Sequence, residues 1–386
     1  MSNVKAVGKA TAIRVVGQIL AALLLLVLIF IAGSSSAHNK ELINISWKSA
    51  VNHPQCLAMS TGGRYFGSVD ADGTVRFFDQ GGHLLWKKKV GGATDVLIAR
   101  NGESILVYSR KSRTQNSVFF FRKDGFQLWK HQVEDVIWSG AISPDGTMAA
   151  VTTGKKHIYV YTPDPNHPKF RRWSLDGTGY QVIFTPDNKR VIVGTWQQSA
   201  LVCYTVRGDF QWRSKYGTDQ QFDLYISADG RRIIGLIPGS PQNLGIELRF
   251  WESGGHQLWR KEIDDFDGRA LISPRSEYVA ISYADYLAKN NTGIVERKVA
   301  VYGANGNLLW DKGGLFFEPR LVALSPTGES VIVSDGEKSL YNINAKGKIL
   351  SKDTLNGNIR KTLSSEDGRY ILLYCGDGLL YLVRVG

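Results

Sequence analysis

A short motif recurs through most of the chain: a glycine, two variable residues, an apolar residue and then tryptophan. It reads GHLLW at Trp86, GHQLW at Trp259 and GNLLW at Trp310. Further copies, some of them weaker, end at Trp129, Trp173, Trp212 and, with serine in the tryptophan position, Ser351. From Trp86 to Ser351 the spacings are 43, 44, 39, 47, 51 and 41 residues. A period of about 40–50 residues is typical of β-propellers and solenoids.

A turn motif repeats with the same period and is clearest as Ser143-Pro144-Asp145-Gly146. Proline sets φ at the second turn position, and glycine or asparagine accepts a positive φ afterwards, so the motif suits a hairpin turn. Eight such turns predict eight repeats. They are Thr61–Gly63, Arg100–Gly102, Ser143–Gly146, Thr185–Asn188, Ser227–Gly230, Ser273–Ser276, Ser325–Gly328 and Ser365–Gly368.

Each repeat has room for four short strands, which in the third copy are Ile137–Ile142, Met148–Thr152, Ile158–Tyr161 and Phe170–Trp173. Their apolar residues are largely β-branched or aromatic, and no sustained helical period follows residue 35. A single four-stranded sheet cannot bury both of its faces, but sheets packed face to face in a ring can. We therefore predict an all-β fold, an eight-bladed β-propeller of four-stranded blades. Seven blades is the alternative if one weak copy is an insertion.

The two ends of the repeat region complement each other. The last copy runs through Leu379–Val385 and lacks a tryptophan strand, whereas an isolated tryptophan strand lies at Leu42–Lys48, around Trp47. If this strand completes the last blade, the ring closes without a free sheet edge. The predicted propeller therefore spans residues 41–386.

The run VRFFDQGGHLLWKKKV, Val75–Val90, resembles the repeat of the quinoprotein-like β-propellers, the pyrroloquinoline-quinone type. In that family the tryptophan of the fourth strand docks one blade against the next. The family includes dehydrogenases, assembly scaffolds and proteins of unknown role, so the resemblance implies a fold more than a function. It implies a blade-docking role for Trp47, Trp86, Trp129, Trp173, Trp212, Trp259 and Trp310.

The residues that catalysis would require do not occur in recognisable patterns. The quinone dehydrogenases of the family have an adjacent cysteine pair and a calcium site, and this chain matches neither. Asp70–Gly73 begins like a calcium loop, but the twelfth position is Gly81 where the pattern requires glutamate, so a hairpin turn is the better interpretation. No P-loop, nucleophile elbow or dinucleotide fingerprint occurs. We therefore predict a non-enzymatic member of the family with no cofactor and no metal site.

The cysteines Cys56, Cys203 and Cys375 form an odd, scattered set, which does not suggest a disulfide framework. Cys56 and Cys375 fall in the first and last blades, which would be neighbours in a closed ring. A bond between them is one alternative, and burial as small apolar side chains is the other.

An apolar segment precedes the repeats. Residues 1–14 contain three basic residues and no acid, and the 19 residues Val15–Gly33 are interrupted only by Gln18. This length matches a transmembrane helix or signal anchor, and the preceding positive charge places the N-terminus in the cytoplasm. Residues 34–40 would then form a short linker to an extracytoplasmic propeller. The alternative is cleavage of a signal peptide near Ala37, which would make the protein secreted or periplasmic.

Charge and localisation restrict the partners. Beyond residue 37 the chain carries 44 basic and 35 acidic side chains, a net of +9. Nucleic acid is excluded as a partner because the domain is predicted to be exported and has no basic run interleaved with aromatic residues. We expect a membrane or extracytoplasmic protein as the partner, with an anionic surface polymer as a further candidate.

The longer insertions share one predicted face of the ring. In a propeller, the loops between the second and third strands lie on the same face as the connections between blades. That face receives Ser109–Asn116, Pro238–Leu244, Ala284–Lys298 and Gly313–Pro319. Loops on rigid scaffolds carry much of protein function, and aromatic and arginine side chains dominate binding hot spots. The candidate interaction residues are Arg110, Arg113, Trp196, Tyr286, Phe316 and Phe317.

These features favour a membrane-anchored propeller that acts as a protein-interaction scaffold or accessory subunit at the cell surface or in the periplasm. The alternative is a module that binds a glycan or another small ligand at the mouth of the central channel.

Overall fold

A computed structural model describes residues 43–110, 113–162, 169–216, 223–238, 245–263, 269–286, 295–315 and 319–385. The apolar segment at residues 15–33 and the cleavage site near Ala37 lie outside these ranges. Within them, no helix has the length and apolarity that a membrane span needs. The described chain forms 32 strands, which pair into eight antiparallel sheets of four.

The chain is an eight-bladed β-propeller, as the repeats predict. β1 is Ile43–Ala50. The strands of blades 1 to 4 are β2 Pro54–Met59, β3 Tyr65–Asp70, β4 Thr74–Asp79, β5 Leu84–Lys89; β6 Asp95–Ile98, β7 Ser104–Tyr108, β8 Asn116–Arg122, β9 Gln127–Val133; β10 Ile137–Ile142, β11 Ala149–Thr153, β12 His157–Thr162, β13 Lys169–Ser174; β14 Thr178–Phe184, β15 Arg190–Trp196, β16 Ala200–Thr205 and β17 Phe210–Lys215.

Blades 5 to 8 continue the pattern. Their strands are β18 Asp223–Ile226, β19 Arg232–Pro238, β20 Ile246–Glu252, β21 Gln257–Ile263; β22 Arg269–Ile272, β23 Tyr278–Tyr286, β24 Val295–Gly303, β25 Leu308–Leu315; β26 Arg320–Leu324, β27 Ser330–Ser334, β28 Ser339–Asn344, β29 Ile349–Thr354; β30 Ile359–Ser364, β31 Tyr370–Cys375 and β32 Leu379–Val385.

The four strands of each blade are designated A to D in their order of pairing. Each A strand contacts the A strands of both neighbouring blades, so the eight A strands form the innermost circle. The predicted ring closure is confirmed. β1 pairs antiparallel with β32, from Ile43 opposite Val385 to Ala50 opposite Leu379, and thereby becomes the D strand of blade 8.

The eight predicted hairpin turns are the A–B turns of the eight blades. In blade 3, Gly146 has φ of 72° and its N–H donates to the Ser143 carbonyl at 2.8 Å. The Ser143 hydroxyl accepts a second hydrogen bond, from the Met148 N–H at 2.8 Å. Asn188 and Ser276 take the place of glycine in two other turns, at φ of 59° and 64°. Ser143 therefore holds the turn through two hydrogen bonds, one to its carbonyl oxygen and one to its hydroxyl oxygen.

Tryptophan rings in the D strands pack against glycines in the C–D turn of the next blade. At Gly255, φ is 89° and an added Cβ would lie 2.4 Å from the Trp212 ring. The same contact crosses the seam, where an added Cβ on Gly82 would lie 2.6 Å from Trp47. Only glycine combines a positive φ with so close an approach. The pairs are Trp47–Gly82, Trp86–Gly125, Trp173–Gly208, Trp212–Gly255, Trp259–Gly306 and Trp310–Gly347.

The core consists of apolar layers between adjacent blades. At the seam, Phe66 and Phe78 of blade 1 pack against Leu372 and Leu382 of blade 8, and all four are almost fully buried. Each layer is shared by two blades, so no blade buries its faces alone.

The three cysteines are free thiols in this structure, which leaves Cys56 and Cys375 unbonded. Cys203 and Cys375 are buried in the inter-blade layers. Burial raises the pKa of Cys203 to about 11 and that of Cys375 to about 12. Both thiols therefore stay protonated at neutral pH and act as small apolar side chains.

The tryptophan–glycine contact can be tested at two adjacent glycines. We expect Gly255→Ala to lower the free energy of unfolding by about 2–4 kcal/mol, because the new methyl group meets the Trp212 ring at a positive φ. The control is Gly254→Ala, since an added Cβ at Gly254 has no neighbour within 4 Å. This control should stay within about 0.5 kcal/mol of wild type in denaturant unfolding. Equal effects of the two substitutions would rule out the proposed contact.

Candidate binding face at the mouth of the channel

The D–A connections and the B–C turns meet on one side of the ring, which we term the upper face. Backbone hydrogen bonds join them: the Leu175 N–H donates to the Lys156 carbonyl at 2.7 Å, and the Gly376 N–H donates to the Asn358 carbonyl at 2.7 Å. The A–B and C–D turns form the opposite, lower face. The predicted sharing of one face by B–C loops and blade connections therefore holds.

The lower end of the channel is narrowed by Arg100, from the A–B turn of blade 2. Its Nε donates to a carboxylate oxygen of Glu366, in blade 8, at 2.9 Å. Its Nη1 donates to the carbonyl oxygen of Ala228, in blade 5, at 3.0 Å. One side chain thus joins three blades across the channel. Arg100 therefore partly closes the channel at the lower face.

A cavity of about 320 Å³ lies at the upper end of the channel, between blades 1, 6, 7 and 8. Four basic side chains line it: Arg269, Arg320, Arg360 and Lys361. All four belong to A strands and lie within the first three residues of the strand. None of the lining residues is a carboxylate. A concave site with a single sign of charge concentrates the electrostatic potential, so this side of the mouth attracts anions.

On the opposite side of the mouth, the positive charge of Arg110 is neutralised by Asp95. Arg110 donates from Nε and Nη2 to the two carboxylate oxygens of Asp95, at 2.8 and 2.7 Å. Burial alone would lower the pKa of Arg110, but the negative charge of Asp95 raises it above its ordinary value. Trp138 and Tyr180 lie nearby, with ring centroids 6.1 Å apart. This side therefore offers a paired charge and aromatic surface.

Asp223 starts the A strand of blade 5, next to the basic side of the mouth. Its side chain is open to the channel, but the protein around it excludes much of the bulk water. That desolvation raises the pKa of Asp223, and the positive charge of Arg269 offsets only part of the effect. Asp223 consequently marks the boundary between the basic and the neutral sides.

The four candidate interaction residues that the structure describes lie on the upper face but do not form one patch. Arg110 and Arg113 follow the B strand of blade 2, Trp196 ends the B strand of blade 4, and Tyr286 ends that of blade 6. Arg113 and Trp196 are exposed. Arg110 is half-exposed and held by Asp95. The side chain of Tyr286 is not described.

Phe316 and Phe317 lie outside the described residues. The remaining tryptophans occupy different environments: Trp251 is fully buried, whereas Trp138 is partly exposed at the channel.

The basic residues of the mouth are not among the residues predicted from the sequence. The signal was present, because Arg269, Arg320 and Arg360 lie four or five residues before the turn serine of three consecutive repeats, at spacings of 51 and 40 residues.

The exposed apolar surface lies at the outer rim. Among the described residues, ten large apolar side chains are exposed, and only Trp196 is on the upper face. Leu84, Leu85, Leu308 and Leu309 directly precede motif tryptophans in D strands. The repeat motif predicts blade docking for its tryptophan and no role in binding for the leucines before it. The rim is therefore a second surface that a partner could contact.

Metal ligands do not converge in the part of the chain that the structure describes. Asp70–Gly73 forms the B–C turn of blade 1, as predicted. There Asp72 accepts hydrogen bonds from the Thr74 N–H and from Lys89 Nζ, both at 2.8 Å. Asp70 is buried and ion-paired with Arg76. Asp72 is therefore satisfied by protein donors, whereas Asp70 is held by Arg76 through Oδ2 and its Oδ1 has no hydrogen-bond partner.

No protein-family model matches the sequence, and no curated protein sequence is found to be similar to it. Solved structures do match. The Dos1 propeller aligns with a TM-score of 0.69 and 12% identity, over 91% of this chain and 97% of that chain. BamB from Moraxella catarrhalis aligns with a TM-score of 0.64 and 14% identity, over 89% and 99%. Hydrazine synthase from Kuenenia stuttgartiensis aligns with a TM-score of 0.56 and 12% identity, over 78% and 97%.

At these identities the likeness shows the β-propeller fold alone. The matched structures include an enzyme, so the fold does not decide the function. Membership of the quinoprotein-like family stays a prediction.

The pKa of Asp223 predicts how Asp223→Asn depends on pH. A carboxyl whose pKa is higher in the folded than in the unfolded state makes its full contribution to stability at pH values below the unfolded-state pKa. That contribution is lost as the pH rises through the folded-state pKa. The substitution should therefore be more stabilising, relative to wild type, at pH 7 than at about pH 4, near the unfolded pKa. Urea unfolding at both pH values measures the difference.

Asp145→Asn supplies a control for which the opposite pH dependence of the stability change is expected. Burial alone would raise the pKa of Asp145, but hydrogen bonds from Ser143 and Thr147 lower it. This substitution should therefore be more destabilising at pH 7 than at pH 4. A pH-independent effect of Asp223→Asn would contradict the raised pKa.

Proposed function

We propose that this propeller is a protein-interaction scaffold or accessory subunit, anchored in a membrane through residues 15–33, with the propeller on the extracytoplasmic side. The observation that carries the proposal is the architecture of the upper face. The segments after the B strands of blades 2, 5 and 6 and the connection after blade 6 all emerge there from a closed ring. Rigid scaffolds that present loops on one face are suited to binding.

The charged groups at the mouth support binding over catalysis. Asp95 is neutralised by Arg110, and the basic residues of the cavity have no nucleophile–base pair among them. Catalytic sites need such converging groups. An acidic protein surface would complement the basic side of the mouth, in keeping with the net charge of +9 beyond residue 37.

The glycan alternative has less support. Stacking on sugar rings would require aromatic side chains that act together. Trp196 and Tyr286 belong to blades 4 and 6, so another blade lies between them. A sugar at the mouth would have to stack on Trp138 and Tyr180 instead, whose ring centroids lie 6.1 Å apart. An anionic surface polymer remains compatible with the basic cavity, but its recognition would be electrostatic.

The upper face can be tested by site-specific photocrosslinking of the full-length protein in native membranes. A photoreactive amino acid is placed singly at Arg113 or Trp196 on the upper face, at Thr327 or Glu329 on the lower face, and at Leu309 on the rim. We expect one recurrent protein to be captured from both upper positions, identified by mass spectrometry, and absent from the lower ones.

Each other outcome assigns a different surface. Capture from the Leu309 position alone would place the interface at the apolar rim. Capture from the lower face alone would invert the assignment. If none of the positions captures a protein, the scaffold proposal is wrong.

Anchoring is tested by fractionation. We expect the full-length protein to stay in the membrane fraction after alkaline carbonate extraction and to retain peptides from residues 1–33 in mass spectrometry, because an apolar helix of this length partitions into lipid. Removing residues 1–33 should release the propeller. An external protease should digest the propeller in intact cells. A mature N-terminus near Ala37 and a soluble wild-type protein would instead establish cleavage.

A further inference from the structure

Three of the four cations that line the channel cavity form no ion pair with any described residue. Within the described part of the chain, Arg269, Arg360 and Lys361 form no ion pair, although the chain carries many others. Two of the described carboxylates lie close to these cations. Asp95 is engaged by Arg110, and Asp223 lies near Arg269 with a raised pKa.

Such a grouping costs stability unless a counter-charge is supplied. Arg360 and Lys361 are consecutive residues of β30, and Arg269 enters from two blades away on the inner circle. Like charges in a concave site repel each other, and the surrounding protein screens them less than bulk water would. No carboxylate is among the residues that line the cavity, whereas a bound anion would supply the missing negative charge.

We propose that the cavity lined by Arg269, Arg320, Arg360 and Lys361 is a binding site for a small oxyanion ligand with at least two negative charges, such as a phosphorylated or polycarboxylate metabolite. This inference is independent of the proposed scaffold function, because it concerns a ligand inside the channel.

The dimensions and chemistry of the cavity fit this class. Its volume of about 320 Å³ lies at the lower end of the range for small-ligand pockets. Guanidinium groups bind carboxylate and phosphate oxygens through two parallel hydrogen bonds, and an ammonium group adds a point charge. Gln55 and Thr362 also line the cavity and provide neutral donors. The mouth on the upper face gives the ligand its route.

The test is isothermal titration calorimetry on the full-length protein in a non-ionic detergent, with tripolyphosphate, inorganic phosphate and citrate as separate probes. We expect wild type to bind one equivalent of at least one probe with a Kd below about 1 mM. Arg360→Gln combined with Lys361→Gln should weaken that binding by at least about tenfold, since charge-assisted hydrogen bonds are lost.

The matched control is Lys87→Gln combined with Lys88→Gln. These two adjacent lysines are exposed in the outer strand β5, so the variant has the same change in net charge but leaves the cavity intact. It should bind like wild type. Equal weakening in both variants would show that net charge, and not the cavity, governs binding, and would overturn the proposal.

A second measurement separates misfolding from loss of the site. The probe that binds should raise the thermal unfolding midpoint of wild type and of the Lys87/Lys88 variant but not that of the Arg360/Lys361 variant. The midpoints without ligand show whether each variant folds. Absence of binding by wild type to all three probes would also overturn the proposal. If an acidic peptide, titrated in the same way, is the one species that binds, the cations serve a protein partner and the proposal is overturned.

Discussion

The contact on which the propeller depends is a tryptophan ring laid on a glycine of the next blade. A blade of four strands has two apolar faces and can bury them only against neighbours. The ring of Trp212 closes the outer part of one gap by lying flat on the backbone at Gly255, where any side chain would collide with it. Because Trp47 makes the same contact across the seam, the first and last blades are joined in the same way as blades 4 and 5. Stability is therefore distributed around the circle, which leaves the loops free to vary.

Closing the ring also decides which residues meet at its centre. The first residue of every A strand lies at the upper mouth, although consecutive ones are separated by about 40–50 residues of sequence, one repeat. Charged residues at this one position of the repeat are therefore brought together at the upper mouth. In blade 2 it is Asp95, which is neutralised by Arg110; in blades 6 and 7 it is Arg269 and Arg320. The mouth consequently has one basic side and one neutral side, an asymmetry produced on a nearly symmetric scaffold.

The fold could be predicted because its determinants are local and repeated. The serine-started turns and the glycine–tryptophan motif each specify their own geometry, and counting strands was enough to assign β1 to blade 8. The sequence could predict which face of the ring carries the candidate residues, but not which of those residues lie together. Trp196 and Tyr286 were predicted on the same face, but two positions on alternate blades do not make a patch. The basic cavity required the register of A strands across three repeats, a relation between residues that no single motif contains.

The two proposals for the upper face are physically linked. A protein that docks on the B–C loops and blade connections would cover the mouth, so it would meet whatever charge the cavity presents. With the cavity empty, that charge is positive and favours an acidic surface. A bound oxyanion would cancel it and weaken the attraction. By thermodynamic linkage, an acidic partner would in turn weaken anion binding by the same factor. A partner that contacts only the outer loops or the apolar rim would show no such coupling, so the anion dependence of partner binding reports where on the ring the partner lies.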